Sequence, residues 1–218
     1  MMRRKWVRLV SVLLTLTMLL GLAQPALAQE RFSDVPQGHW ADEVIHQLRD
    51  EGISSGIGDN AFGLGQTITR GEFMAFIVKV MGWPEVTPAA GSFADNQDTA
   101  AWYYKAIETA AAHDCLADGG NARPNDPITR EEMAMLMVGA LGFRDLGEQL
   151  KNTDAGFGDV TQNAGYIALA KELGLASGMT ETAFAPESTA TREQAAAMIM
   201  RLHQTKAKTC LLYTSRCV

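Results

Sequence analysis

Thr69-Arg70-Gly71-Glu72, Thr129-Arg130-Glu131-Glu132 and Thr191-Arg192-Glu193-Gln194 are one tetrapeptide written three times. In each, a Thr is followed three residues later by Glu or Gln. That is the capping box, in which the Thr hydroxyl takes the N–H three residues on and the acidic or amide side chain reaches back. The pairs Thr69 and Glu72, Thr129 and Glu132, and Thr191 and Gln194 therefore predict three helix starts, each cap contributing about 1 kcal/mol. The residues after each box agree. Phe73, Phe76, Ile77 and Val80 fall at i, i+3, i+4, i+7, as do Met133, Leu136, Met137 and Ala140, and Ala195, Met198, Ile199 and Leu202. This is one apolar stripe at helical period, three times over. Gly82 and Gly142 supply left-handed C-caps for the first two helices. The third lacks that Gly and should run on.

Upstream of each box lies a second recurring motif. Phe32-Ser33-Asp34-Val35 returns as Phe93-Ala94-Asp95 and as Phe157-Gly158-Asp159-Val160. Arg recurs at intervals of 60 and 62 residues. Three units result, 32–83, 93–143 and 157–205, joined by linkers 84–92 and 144–156. Each unit holds an earlier helix starting near Trp40, Trp102 or the matching Gln162, with Ile45 and Leu48 aligned to Ile107 and Ala110 and to Ile167 and Ala170. No stretch alternates at period two, so the class is all-α. One helix pair cannot bury its apolar face alone, and three packed together form a pseudo-threefold bundle.

The ends differ from the middle. Arg3, Arg4, Lys5 and Arg8, an apolar run, and Ala26-Leu27-Ala28 read as a secretory signal peptide over 1–28. No membrane span is expected after its cleavage. Residues 210–218, CLLYTSRCV, back-translate into a transposase mosaic-end adapter joined to its own inverted repeat. They are read as an adapter-derived artefact, the native chain continuing past Thr209. Cys115 is then the one native cysteine, a small buried hydrophobe. The net charge of −6 hides the basic leader: residues 29–218 hold 15 basic and 25 acidic groups, a net −10. That excludes nucleic acid as partner, because its phosphates need Lys and Arg. An anionic ligand would be met by short-range contacts against an opposing long-range field.

Arg70, Arg130 and Arg192 are the residues that capping does not explain. Each sits at the first helical position, where the macrodipole disfavours a cation. Two readings stand: a structural ion pair, for example to Asp34, Asp95 or Asp159, or an anion site in which free helix-start amides and the guanidinium fork hold a carboxylate or phosphate. Catalytic signals fall away. Gly52-Ile53-Ser54-Ser55-Gly56 mimics a nucleophile elbow but comes after a helix, and Gly174-Leu175-Ala176-Ser177-Gly178 repeats it as a helix-ending turn. Glu43 and His46 lack a second histidine for a metal. No cofactor or catalytic site is expected.

The assembled pattern, F-x-D-V, H-W, G-I-x-x-G and I-T-R-x-E in three copies behind an export signal, resembles the S-layer homology domain. The resemblance implies a three-pronged helical spindle that anchors an exported protein non-covalently to the bacterial cell wall. It implies as partner a secondary cell-wall polysaccharide, often pyruvylated, or peptidoglycan. On this resemblance the ligand-binding residues are Arg70, Arg130 and Arg192, with Trp40 and Trp102 packing on sugar and Asp34, Asp95 and Asp159 beside them. Gln162 stands where the other units have Trp, and Ala122 where they have Phe62 and Phe184, so the grooves should be unequal. The third unit is expected to contribute least, with Arg192 the least important Arg to binding, and an Arg→Ala change is expected to leave the fold intact. The alternatives are the anchor of a larger cell-surface enzyme, such as a glycoside hydrolase, and a module that binds a surface protein.

Overall fold

The computed structural model describes residues 31–116 and 120–215, with side chains described to residue 208. The signal peptide read at 1–28 lies outside the described residues, as do the side chains of 210–218. Seven helices occur among the described residues: α1 Asp42–Asp50, α2 Arg70–Met81, α3 Tyr104–Ala112, α4 Arg130–Ala140, α5 Arg144–Gln149, α6 Ala164–Glu172 and α7 Arg192–Ser215. The described residues from Phe32 onward form one compact unit.

The boxes behave as the spacing predicts at two of three sites. Thr69 Oγ1 accepts from Glu72 N–H while Glu72 accepts from Thr69 N–H, and Thr129 and Glu132 do the same. At the third, Gln194 accepts from Thr191 N–H at 3.2 Å, but Thr191 Oγ1 is buried with no partner among the described residues. α2 ends on Gly82 at φ 66°, and Trp83 N–H reaches back to Val78 O. Gly142 at φ 81° ends α4 in the same way. α7, without such a glycine, runs 24 residues. All twelve stripe residues of the second helices are buried, and so are the six aligned residues of the first helices. Cys115 is buried, and burial pushes its thiol up to about 12.

The helices do not pair within their own repeats. α2 of the first repeat packs on α3 of the second, α4 of the second on α6 of the third, and α7 of the third on α1 of the first. Each repeat therefore completes its neighbour's core. At the centre the residues just before the three Thr form a ring of backbone hydrogen bonds: Ile68 N–H to Ala190 O, Ala190 N–H to Ile128 O, and Ile128 N–H to Ile68 O, all 3.1–3.2 Å. These are isolated bridges around a pseudo-threefold axis, and no sheet is present among the described residues.

One stretch read as linker is partly helical. α5 lies in 144–156, where its six residues are too few to show a period. Gly147 lets it sit against the Tyr166 ring of α6, and Tyr166 donates its hydroxyl to Glu148 at 3.1 Å.

Candidate functional site

The repeated geometry begins with the Asp of each F-x-D motif. Asp34 accepts from the amides of Phe62, Gly63 and Leu64, Asp95 from Ala122 and Arg123, and Asp159 from Phe184 and Ala185, all at 2.7–2.9 Å. Partial burial pushes the Asp34 carboxyl up, but its backbone hydrogen bonds outweigh that and hold it below the ordinary range. For Asp159 the Phe184 and Ala185 amides lower it directly. The three Asp expected at the ligand are thus loop clamps, with their oxygens turned to amides.

Each clamped loop presents a carbonyl to the Arg of the preceding repeat. Arg70 Nε donates to Ala122 O, Arg130 Nε to Phe184 O and Arg192 Nε to Phe62 O, each at 2.9 Å. The three arginine residues are buried, at 4–8% exposure. Two of them have the capping Glu of the next repeat as carboxylate partner. Arg192 meets Glu72 at 2.6 Å and Arg70 meets Glu132 at 3.1 Å. Glu132 also pairs with Arg123. Ion pairing is therefore present, but not to the Asp residues, which the amides already hold. The helix-start amides are not free either. Arg70 N–H donates to Asp126 O, Arg130 N–H to Ser188 O and Arg192 N–H to Gln66 O. These contacts compensate the cation at the positive end of the dipole. An Arg→Ala change will consequently disturb the packing between repeats, contrary to the expectation of an untouched fold.

The same offset between repeats builds the grooves. One, of about 470 Å³, is lined by Ser54–Ile57 and α2 of the first repeat, by Trp102 and Lys105 of the second and by Arg192 of the third. A second, of about 150 Å³, joins Ala176–Met179 and α7 of the third repeat to Trp40 of the first and Arg130 of the second. In both, an exposed tryptophan stands with a buried Arg and an exposed apolar side chain. Trp102 is 60% and Trp40 61% exposed, with Ile57 and Met179 as the apolar partners. The third position is where Arg70 meets Ala122 and Glu132, and where Asn163, next to Gln162, bonds Glu131 of α4. There Gln162 and Ala122 stand in the repeat positions that Trp and Phe hold at the other two.

The arginines and tryptophans are thus paired across repeats, and not within them as the ranking of the arginines assumed. Arg192 shares its groove with Trp102 and Arg130 with Trp40, while by the same offset Arg70 falls at the position where Gln162 replaces Trp. Linear reading assigned each Arg to its own repeat's aromatic. It also missed Ile57, Met179, Lys79, Lys105 and Arg201. The equivalence of Ile57 and Met179, each just after the last Gly of its G-x-x-x-G turn, was available in the sequence.

Three helical repeats thus close into a ring, each packed on the next, with grooves where neighbouring repeats meet. The S-layer homology domain pattern matches residues 31–74, 92–134 and 156–196, more than half of the chain. The chain belongs to this family, and such domains are non-catalytic and hold proteins at the cell surface. It is 35% identical to an amylopullulanase of Thermoanaerobacterium thermosulfurigenes over 78% of its length, and 36% identical to exoglucanase XynX of Acetivibrio thermocellus over 78%. It is 30% identical to an S-layer protein of Bacillus thuringiensis subsp. finitimus over 89%. The chain spans 9%, 16% and 24% of these three relatives, respectively. No helix among the described residues is long and apolar enough to cross a membrane.

Proposed function

We infer that the chain anchors an exported protein to the cell wall by binding a secondary cell-wall polysaccharide, pyruvylated where the glycan carries an acid. The grooves holding Trp102 with Arg192 and Trp40 with Arg130 take the sugar. The observation that carries this is a tryptophan with most of its surface in solvent, placed twice in a groove beside a buried guanidinium. An exposed indole offers a sugar ring large contact area at low entropy cost. The guanidinium suits a carboxylate.

The test is sedimentation with purified, protein-free walls. Binding should persist on these walls, fall when the polysaccharide is extracted with hydrofluoric acid, and be competed by a pyruvylated disaccharide. Undiminished binding to the extracted walls would assign peptidoglycan as the partner instead. Binding that requires wall protein would assign a protein partner.

The module also serves a longer protein, either a polysaccharide-degrading enzyme or a lattice-forming surface protein. The short span of the chain on its relatives supports this. Sequencing the locus past the codon for Thr209 tests it, and a stop codon at that point would refute it.

A further inference from the structure

The three arginines differ in one respect that their common motif hides. Arg192 has Glu72 and Arg70 has Glu132, but the residue at this position in the third repeat is Gln194. Arg130 therefore has no carboxylate at ion-pair distance among the described residues. Its Nε and Nη2 hold the carbonyls of Phe184 and Ser177, and Asp159 acts on it only from farther away. The residues lining its groove include no acidic side chain. The groove wall carries a second guanidinium, that of exposed Arg201, which occupies the position of Lys79 in the first repeat. Arg201 forms no ion pair among the described residues, and its charge bears on Arg130.

The groove of the first repeat is balanced differently. Glu72 neutralises Arg192, and Lys105 pairs with Glu85 at 3.6 Å, leaving the exposed Lys79. Two like charges at a partly buried site without a counter-ion are unfavourable, and an incoming anion relieves both.

Resting on the sugar-binding reading above, we propose that the Trp40 groove selects the acid-bearing sugar of the glycan, with Gln194 as the residue that sets this selectivity and Arg130 and Arg201 as the cationic contacts. The Trp102 groove discriminates little between acidic and neutral sugars. Gln194 acts by omission: its amide keeps half of the helix cap and leaves the guanidinium uncompensated.

The experiment exchanges that one atom. In the full chain carrying Trp102→Ala, calorimetry compares a pyruvylated disaccharide, a uronate-containing disaccharide and their neutral parent. Either acidic sugar should bind roughly 10- to 100-fold tighter than the neutral one, as expected for a hydrogen bond to a charged group. The tighter of the two names the source of the carboxylate. Adding Gln194→Glu should abolish the preference for either acidic sugar over the neutral one and leave the melting temperature unchanged or higher, because Glu completes caps elsewhere in this chain. The reciprocal Glu72→Gln, in a Trp40→Ala background, should create an acid preference in the other groove. Equal binding of all three sugars by the Trp102→Ala chain overturns the proposal, as does a preference that survives Gln194→Glu. Failure of the unmodified chain to bind any of the three overturns instead the sugar-binding reading on which the proposal rests.

Discussion

Replacing Arg192 by alanine should destabilise the fold before it affects any ligand. The side chain is 5% exposed and links the last repeat to the first. Its loss removes the Nε bond to Phe62 O, the pair with Glu72 and the packing of the guanidinium over the Phe62 and Phe76 rings, 5.4 and 5.6 Å from their centroids. A charge-assisted hydrogen bond contributes about 1.5–3 kcal/mol. Breaking a buried ion pair by removing one partner costs about 3–5 kcal/mol, and Glu72, at 27% exposure, can recover part of this from water. The net loss is then about 3 kcal/mol. For a chain of this size that lowers the melting temperature by roughly 6–12 °C. Arg70→Ala should cost less, because Glu132 keeps Arg123. Thermal unfolding monitored by circular dichroism, on both variants, is the assay. An Arg192→Ala melting temperature within about 2 °C of the parent, or a larger drop for Arg70→Ala, would refute the argument that these arginines hold the repeats together.

Trp40→Ala and Trp102→Ala should each weaken wall binding about tenfold or more with a melting shift of only a few degrees, since both rings are more than half exposed. Gln162→Ala should change neither, and loss of binding there would reassign the grooves. Stability should also fall in acid. Asp34, Asp159 and Glu132 all titrate below their ordinary values in the fold, Glu132 because the Thr129 amide, Arg70 and Arg123 outweigh its burial. Their contribution is complete above the unfolded-state values near pH 4 and is lost as pH falls through the lowered folded-state ones. Urea midpoints that stay level from about pH 6 down to about pH 2 would contradict this. Cys115, buried and with its thiol at about 12, should resist iodoacetamide in the native protein and react once it is unfolded, as read by peptide mapping.

The helices were legible because their signals are local. A Thr and a Glu three residues apart, an apolar stripe over eight residues and a terminal glycine all act within one turn or two. The partnerships were not legible, because they depend on an offset between repeats that no spacing encodes. Arg192 and Glu72 are 120 residues apart. Nothing within either tetrapeptide shows that the guanidinium of one repeat reaches the cap of another, so the motif Asp residues were the natural candidates for the ion pair. The same offset placed Trp102 with Arg192 and set Arg70 at the position where Gln162 replaces Trp. α5 escaped notice for a different reason: its stability comes from the Tyr166 contact, and not from an amphipathic pattern of its own.

The hydrogen-bond ring through Ile68, Ala190 and Ile128 has a consequence for how such a module can vary. An open stack of repeats has two ends, and can lengthen or shorten by a copy at modest cost. Here the last copy bonds to the first, so there is no end to extend. A fourth copy would have to open the circle, and a deletion would leave an unmatched helix on each side. The copy number is thereby held at three, and variation is confined to the groove walls, where Trp40, Trp102, Gln162 and Gln194 already differ. A load applied at any one repeat reaches the other two through the same circle. Unfolding should accordingly occur in a single step, with far-ultraviolet dichroism and tryptophan fluorescence changing together.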